Sequence, residues 1–327
     1  MTADPFDIKP GEIVNGTAVK IGAFAAGSDE WHAARANGIG GSEVAAIVGL
    51  SPWTSRFSLF YQKKMKLRDI EITAPIEWGT RLEAAVFGKY SESLAPGEVI
   101  TTGDTFHHVD YPWLIANPDG IIWRKIGAEW KPVRILEIKT SSRGDGFGPD
   151  GSDQIPAYYL CQVIHYGFVL STKDIHLAAL ISGIDYRVFN PAYSEDDAAF
   201  LVNAGQQFMH DLEHDIEPDL TKDTATYDAV RQINPHLDPD EVVDIAPDVA
   251  DRYVTAVEAF DQAKIEKQAM DAEILHTAGT ARLIKCGEDV IARRQMPGGR
   301  VQGVPYLRRV APKKLNETSV LKAVASS

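Results

Sequence analysis

Residues 117–120 have the sequence Asn-Pro-Asp-Gly, and residues 136–140 have the sequence Leu-Glu-Ile-Lys-Thr. The first stretch is turn chemistry between extended segments, and the second lies in a predicted strand. Because side chains on a strand alternate with a period of two, Glu137 and Lys139 share one face of the sheet. Asp119, at the preceding turn, reaches the same point if these strands pair. The sequence therefore predicts two carboxylates beside an ammonium group.

This group of side chains has the chemistry of a hydrolytic metal site. Two carboxylates form a hard oxygen site for Mg²⁺, which keeps several waters and binds substrate phosphate. A bound ion lowers the pKa of a water and neutralises developing negative charge, while Lys139 can position or deprotonate that water. The sequence contains no Gly-rich phosphate loop of the Walker type. The pattern therefore indicates hydrolysis of a phosphodiester and not phosphoryl transfer from a nucleotide.

Each motif also has a purely structural interpretation. Glu-x-Lys on a half-exposed strand is commonly a solvated ion pair, and Asn-Pro-Asp-Gly is a good turn that needs no metal. Three features together favour the metal site: the order of the motifs, the strand context and the spacing of eighteen residues from Asp119 to Glu137.

The regions around the two motifs predict an α/β fold. Ser28 is expected to cap the first helix and Ser42 the second. The order of helices, strands, a helix, a β-hairpin and a further helix indicates a central mixed sheet flanked by helices. The predicted helices span residues 28–35, 43–48, 55–67, 77–91, 157–170 and 194–214, and the predicted extended segments span 107–116, 120–123, 133–140, 176–182 and 186–189.

The composition is that of an ordinary globular protein. Hydrophobic residues make up 44% of the chain and charged residues 24%, so a core can form without a disulfide or metal staple. The two cysteines, Cys161 and Cys286, form no zinc or redox pattern and suit a reducing cytosol. The first residues lack the pattern of a signal peptide, and no apolar window is long enough to span a membrane. We therefore expect a cytoplasmic protein without a membrane partner.

The character of the chain changes after Pro218. The net charge is −13, but the segment from Arg282 to Lys314 contains nine Lys or Arg against two acids, so it carries +7 and the remainder −20. An acidic protein can still bind phosphate locally, and the basic hairpin expected near the end of the chain can follow a nucleic-acid backbone or simply be solvated. A long helix over 248–276 can serve self-association or another protein. The expected organisation is an N-terminal arm (1–27), a nuclease core (28–217), a linker with short helical pieces (218–247) and a helix-plus-hairpin appendage (248–327).

Five motifs follow one another in an order that is typical of one known family. They are Trp31-x3-Arg35 with Gly38-Ile39-Gly40-Gly41-Ser42-Glu43, Trp78-Gly79-x3-Glu83, Asn117-Pro118-Asp119-Gly120, Leu136-Glu137-Ile138-Lys139-Thr140, and Gln162. On these motifs the chain resembles the YqaJ-type viral recombinases, which are similar to phage lambda exonuclease within the PD-(D/E)xK nuclease superfamily. The resemblance covers about residues 28–190.

The resemblance implies a restriction-endonuclease-like core with a metal site. Asp119 and Glu137 would be metal ligands together with the backbone carbonyl of Ile138, and Lys139 would serve the attacking water. Glu83 would be an outer ligand or a ligand of a second metal, although the residues alone suggest a surface acid on a helix. The implied cofactor is Mg²⁺, with two ions per site and with Mn²⁺ able to substitute.

Four further residues are implied to act near the site. The family places a Gln and a Tyr on one helix there, for which Gln162 and Tyr159 are the matching choices; a packing face with a buried amide is the alternative. Arg35 and Ser42 match an Arg and a Ser that bind the terminal 5′ phosphate in lambda-like exonucleases. The alternatives are a helix-end charge for Arg35 and a plain N-cap for Ser42.

The resemblance thus implies a 5′→3′ exonuclease that degrades linear double-stranded DNA from its ends and leaves 3′ single strands for phage-type recombination. A family member would form a homo-oligomeric ring, often a trimer, and would work with a single-strand annealing protein. Two alternatives stay open: an endonuclease of repair, restriction or defence, which would cut closed circles, and a non-catalytic scaffold that binds DNA ends. The intact set of Asp119, Glu137 and Lys139 speaks against the scaffold.

Overall fold

Two compact units divide the chain near residue 235. The computed structural model describes residues 8–24, 28–65, 74–102, 104–233, 235–287, 289–296 and 305–309. The first unit contains the described residues up to Pro235, and the second contains those from His236 onward. Each unit has its own sheet structure and is described separately.

The first unit consists of ten strands and seven helices within the described ranges. Its strands are β1 (Ile13–Val14), β2 (Ala18–Ala23), β3 (Ile39–Gly40), β4 (Glu98–Thr101), β5 (Asp104–His108), β6 (Leu114–Ala116), β7 (Gly120–Ile126), β8 (Glu129–Ser141), β9 (Ile175–Ile181) and β10 (Asp185–Phe189). Its helices are α1 (Asp29–Arg35), α2 (Gly41–Ile47), α3 (Arg56–Met65), α4 (Ala74–Ser91), α5 (Ala157–Val169), α6 (Glu195–Glu213) and α7 (Thr224–Ile233).

The strands form two five-stranded sheets, and both are mixed. One sheet has the order β1-β2-β5-β6-β3 and the other the order β10-β9-β8-β7-β4. In the second sheet β8 and β9 are parallel and are connected through α5, while the remaining pairs are antiparallel. The predicted α/β class with a mixed sheet flanked by helices is confirmed, although the strands are shared between two sheets where one central sheet was expected.

Helices cover both faces of the sheet that contains β8. On one face Val86 and Tyr90 of α4 pack against Leu136 and Ile138. The other face packs against α5. Nine of the thirteen residues of this helix are buried, which agrees with its largely apolar sequence. The odd-numbered residues of β8 face the α5 side, as the strand period of two requires. Glu137 and Lys139 therefore project from the sheet towards α5.

The N-terminal segment differs from the expected arm. Within residues 8–24, β1 and β2 form a hairpin, and β2 pairs antiparallel with β5. The side chains of Val14 and Ala18 are buried against Phe106. This strand was missed because its partner lies about ninety residues away in the sequence, and short strands depend on such tertiary contacts more than on local propensity.

One further region departs from the expectation in detail. The extended segment predicted over 107–116 is two strands, β5 and β6, separated by a turn. The connection expected to hold short helical pieces contains the ten-residue helix α7, and Thr226 of this helix is buried and donates a hydrogen bond from Oγ1 to Ser55 Oγ at 2.7 Å. Ser28 caps α1 as predicted, since its Oγ accepts from the Trp31 N–H at 3.1 Å.

The second unit contains one long helix and a small sheet. Helix α8 spans Pro247–Ala278, and an antiparallel sheet contains β11 (Leu283–Cys286), β12 (Asp289–Gln295) and β13 (Tyr306–Arg309). The basic hairpin predicted here exists, but Arg300, Lys313 and Lys314 of the basic segment lie outside the described residues. Among the described residues, no helix combines the length and the apolar character that a membrane span requires.

Candidate active site

Asp119 takes the place of a missing strand partner beside β8. Strands β7 and β8 pair only as far as Gly120 opposite Leu136, and β8 continues beyond that point. The Ile138 N–H therefore donates to Asp119 Oδ2, at 2.7 Å. In an extended strand the N–H and C=O of one residue point to the same side. The carbonyl of Ile138 is thus directed to the side on which Asp119 lies.

Glu137 and Lys139 project together from the same face of β8, as the sequence predicts. Lys139 Nζ donates to Glu137 Oε1 at 2.5 Å, and Gln162 Nε2 donates to the same oxygen at 2.6 Å. The Gln162 amide also donates to the Tyr166 hydroxyl at 3.1 Å. Glu137 is only 2% exposed, so the interpretation of a solvated surface ion pair is wrong. Gln162 has a buried amide, as the alternative of a packing face predicts, and this amide also contacts Glu137 in the site.

Negative charge exceeds positive charge at this point. Burial and the charge of Asp119 raise the pKa of Glu137 to about 8, against the opposing effect of Lys139. Burial likewise raises the pKa of Asp119, and partial desolvation at the edge of the site together with the Asp119 charge raises the pKa of Glu83, whose side chain is otherwise exposed. Burial alone would lower the pKa of Lys139, but Glu137 and Asp119 raise it above its ordinary range. Three carboxylates thus share one ammonium group.

The second oxygen of Glu137 is the atom that fits a bound cation. Glu137 Oε2 is buried and has no hydrogen-bond partner, and a buried polar atom in this state is expensive. A hard divalent cation would satisfy this oxygen and offset the excess negative charge. Within the described ranges, no three His, Cys, Asp or Glu side chains lie close enough together to hold an ion by themselves.

One cavity brings the predicted residues together. It has a volume of about 370 Å³, and the residues predicted from the sequence that line it are Arg35, Ser42, Glu83, Asp119, Glu137 and Gln162. Glu83 reaches it from α4 but keeps an exposed side chain, so it lies at the rim. Lys139 and Tyr159 are not among the residues that line this cavity; the Tyr159 ring, on α5, lies 4.9 Å from Lys139 Nζ, which contacts the lining residue Glu137.

Arg35 and Ser42 meet at one wall of this cavity. Arg35 Nη2 donates to Ser42 Oγ at 3.1 Å, and the guanidinium carbon lies 4.2 Å from the centre of the Trp31 ring. The expected N-cap role of Ser42 is wrong: α2 begins at Gly41, two residues earlier than expected, and its cap position is Gly40. The reason is that Glu43 Oε2 accepts from the Gly40 N–H at 2.7 Å, which leaves the Ser42 hydroxyl free for Arg35.

Several contributors to the site were not predicted. Asp104, at the start of β5, lines the cavity and forms an ion pair with Lys20 of β2 at 2.9 Å. Tyr166 lines the cavity as well and holds Gln162. The position of Tyr166, four residues after Gln162 on one helix, was the only local signal for it. No local pattern connects Lys20 with Asp104, because the pair depends on β2 joining β5.

The chain is similar to proteins of bacterial and viral origin. It is 32% identical over 165 residues to the uncharacterised protein YqaJ of Bacillus subtilis, which covers 47% of each chain. A protein of African swine fever virus is 28% identical over 163 residues, covering 44% of this chain and 46% of the viral one. The chain thus matches about half the length of these curated relatives.

Solved structures give weaker similarity. An alkaline exonuclease from Laribacter hongkongensis aligns with a TM-score of 0.43 at 18% identity and covers 58% of this chain and 95% of its own. The same enzyme in complex with dAMP aligns with a TM-score of 0.44 at 18% identity, with the same coverage.

The family predicted from the five motifs agrees with the sequence comparison. Every motif, from Trp31 to Gln162, lies inside the matched segment. The cavity residues Arg35, Ser42, Glu83, Asp119 and Glu137 lie in it as well. Residues 30–173 of the chain match the YqaJ-like viral recombinase domain.

Proposed function

We propose that the protein is a metal-dependent DNA exonuclease that hydrolyses linear double-stranded DNA in the 5′→3′ direction. The observation that carries the proposal is the buried Glu137 carboxylate, with one oxygen held by Lys139 and Gln162 and the other without a partner. The match to the YqaJ-like viral recombinase domain agrees with a nuclease role. Direction, substrate and metal belong to the proposal.

Asp119, Glu137 and the Ile138 carbonyl would hold a Mg²⁺ ion, for which Mn²⁺ would substitute. When bound, the ion would lower the pKa of a water and offset the negative charge that develops on the phosphate. Lys139 and Gln162 fix the Glu137 carboxylate through Oε1, so Oε2 keeps a constant direction. The Ile138 N–H fixes Asp119 in the same way. This rigid arrangement would hold a scissile phosphate and a water in line for attack.

Lys139 and Glu83 would act at the edge of this arrangement. Lys139 Nζ lies 4.9 Å from the centre of the Tyr159 ring, which is a favourable cation–π distance. Its ammonium group would hold the attacking water and a phosphate oxygen. Glu83, at the cavity rim, would bind a second ion or a water of the first one.

Arg35 and Ser42 would select the end of the DNA strand. A terminal 5′ phosphate carries close to two negative charges at neutral pH, more than an internal phosphodiester, and a guanidinium binds it with two hydrogen bonds. Arg35 and Ser42 line the same cavity as Asp119 and Glu137. A strand anchored there by its terminal phosphate would present a nearby phosphodiester to the hydrolytic group. The product would be a duplex with a 3′ single strand.

Assembly is also part of the proposal. A ring of identical subunits, three by resemblance, would enclose the DNA duplex, and a single-strand annealing protein would receive the 3′ strand. Helix α8 exposes Val257 and Phe260, among other apolar residues, within the second unit. Light scattering at several concentrations would give the oligomeric state directly.

The test is digestion of three DNA substrates with Mg²⁺ or with a chelator. Linear duplexes with 5′-phosphate and 5′-hydroxyl ends and a closed circle are compared, with the label placed at the 5′ or the 3′ end. We expect degradation of the linear duplexes only, with early release of the 5′ label, a faster rate on the phosphorylated end and no activity with chelator. Cutting of the closed circle would instead support the endonuclease alternative.

Lys139→Ala tests the assignment of the site. Lys131 on the same strand provides a matched control, because it is exposed and pairs only with Glu129 at the far end of β8. We expect Lys139→Ala to lower the rate by at least about a hundredfold, as for other groups that act on the reacting atoms, and Lys131→Ala to leave it unchanged. Equal activity of the two variants would overturn the site.

A further inference from the structure

Arg35 is held at the cavity wall by contacts on several sides. Its guanidinium lies over Trp31, donates to Ser42 and has Nη2 3.5 Å from Glu43 Oε1. That last distance is longer than a hydrogen bond, so Glu43 attracts Arg35 without being its close partner.

Glu43 is instead engaged from other directions. Its Oε2 accepts from the Gly40 N–H at 2.7 Å, and Lys63 Nζ lies 2.8 Å from Oε1 and 2.9 Å from Oε2. Burial by itself would raise the pKa of Glu43, but Arg35, Lys63 and the hydrogen bonds lower it below the ordinary value. Glu43 is thus an anion with two cationic neighbours, and Lys63 is the closer one.

Lys63 reaches this cluster from outside the cavity. It lies on α3 and also donates to the backbone carbonyl of Arg35 at 3.2 Å, so it ties the end of α1 to α3. Lys63 lines a different groove, together with Asn37, Trp113 and His210. It is therefore a neighbour of the phosphate-binding residues and not a phosphate ligand itself.

The charges decide what Lys63 does. If Glu43 had Arg35 as its sole cationic neighbour, the two would close to a short ion pair, and phosphate would have to compete with a carboxylate for the guanidinium. With Lys63 against both oxygens of Glu43, the cluster of Arg35, Glu43 and Lys63 has a net charge of +1. The surplus charge faces the cavity through Arg35, because Arg35 is the member that lines it.

We propose that Lys63 is a positioning residue that determines end specificity: by occupying Glu43, it leaves the Arg35 guanidinium available for the terminal 5′ phosphate of DNA. This inference rests on the proposed function and adds a residue that does not touch the substrate. The Arg35 guanidinium would thus stay available in the cavity because the Lys63 ammonium group, outside the cavity, occupies Glu43.

The experiment measures kcat/KM on linear duplexes with 5′-phosphate and with 5′-hydroxyl ends, and takes the ratio of the two. We expect Lys63→Met to lower this ratio by about tenfold, the effect of weakening one charge-assisted contact, mainly through KM. Lys63→Arg should restore the ratio. Lys64→Met is the matched control, because Lys64 is the next residue on α3 and pairs with Asp215 on the surface. A purely structural role of Lys63 would lower activity on both ends equally.

Two further variants separate the possible failures. If Lys63→Met does not fold, Lys63→Gln replaces it, because a neutral amide can still donate to Glu43 and to the Arg35 carbonyl but carries no charge; we expect the same loss of ratio. If Arg35→Ala abolishes the ratio while Lys63→Met and Lys63→Gln keep it, the inference is wrong and the proposed function stands. If Arg35→Ala itself keeps the ratio, the proposed binding of the 5′ phosphate is wrong, and the role of Lys63 is overturned with it.

Discussion

Gly40→Ala should move Arg35 without disturbing the fold. A Cβ atom added to Gly40 would lie 2.3 Å from Arg35 Nη2, 2.7 Å from Cζ and 2.8 Å from Nε. Carbon and nitrogen need about 3.5 Å, so the guanidinium must retreat by about 1 Å. The backbone at Gly40 has φ −80° and ψ 157°, which alanine adopts freely. The clash therefore falls on the flexible end of one side chain.

A shift of this size breaks the hydrogen bond from Arg35 to Ser42. The present distance is 3.1 Å, and a further 1 Å exceeds hydrogen-bonding distance. A hydrogen bond with a charged partner contributes about 1.5–3 kcal/mol, and 1.4 kcal/mol corresponds to a factor of ten in affinity. We expect the ratio of kcat/KM for 5′-phosphate over 5′-hydroxyl ends to fall about tenfold to a hundredfold. The free energy of unfolding should change by no more than about 1 kcal/mol, since Gly→Ala also reduces the entropy of the unfolded chain.

The assay combines initial rates on both DNA ends with a thermal melt. Gly88→Ala is the control, because a Cβ atom at Gly88 meets nothing within 4 Å. In an Arg35→Ala background, Gly40→Ala should add nothing, as expected when both changes act through the same group. An unchanged ratio in Gly40→Ala, or an additional loss in the double variant, would refute the reasoning.

Three more predictions follow from the buried groups. Mg²⁺ at a concentration of a hundred times its Kd should stabilise the folded protein by about 2.7 kcal/mol and so raise its melting temperature. This rise should vanish in Glu137→Gln. An equal rise in the variant would show that the ion binds elsewhere. Burial lowers the pKa of His165 to about 4, whereas in the unfolded chain its pKa is about 6.5. As the pH falls, His165 is therefore protonated in the unfolded chain before it is protonated in the folded one, and the free energy of unfolding decreases between about pH 6.5 and pH 4. Between pH 7 and pH 5 the free energy of unfolding should fall by about 2 kcal/mol more than in His165→Leu, measured by urea titration; parallel pH profiles would contradict this. Under native conditions a thiol reagent should label the exposed Cys286 and should not label Cys161 until the chain unfolds, because burial raises the pKa of Cys161 to about 12. Mass spectrometry counts the labels on the folded protein. Two labels would show that Cys161 is accessible.

Much of the site could be predicted because its geometry is local. Glu137 and Lys139 share a face through the strand period alone, and the pairing of Gly120 with Leu136 places Asp119 beside them. Gln162 is on the helix that follows β8, which must cross the same sheet face before β9 begins. In each case the positions follow from the geometry of one or two neighbouring elements.

Other parts depended on contacts between distant segments and could not be predicted. Lys63 and Glu43 are twenty residues apart on different helices, and nothing in their sequence context distinguishes them from surface charges. The N-terminal strand β2 has a short apolar alternation that becomes a strand only because β5 offers a free edge. Ser is a common capping residue, so the sequence favours Ser42 as the cap; the bond from the Gly40 N–H to Glu43 instead places the cap at Gly40, and the helix begins two residues earlier than expected.

The turn at residues 117–120 explains why fold and site arise from one motif. It leaves β6 of one sheet and enters β7 of the other. Asn117 donates to Thr105 Oγ1 at 2.5 Å in the first sheet, and Asp119 accepts from the Ile138 N–H in the second. Both polar side chains of the turn are therefore used to fix where β7 begins relative to β5 and β8.

The stability of the fold does not account for two features of the site, the unpartnered oxygen of Glu137 and the space beside Gly40. A buried ion pair can commonly be replaced by apolar residues without loss of stability, and a buried oxygen without a partner is a further burden. Glu137 has such an oxygen, and Gly40 leaves space for the Arg35 guanidinium that a methyl group would fill. Both features are unfavourable or neutral for the isolated fold, and both belong to one cavity. Under the proposed function, both features would become favourable if a cation bound Glu137 and a phosphate bound Arg35, and a metal-bound end of DNA would bring these two charges together.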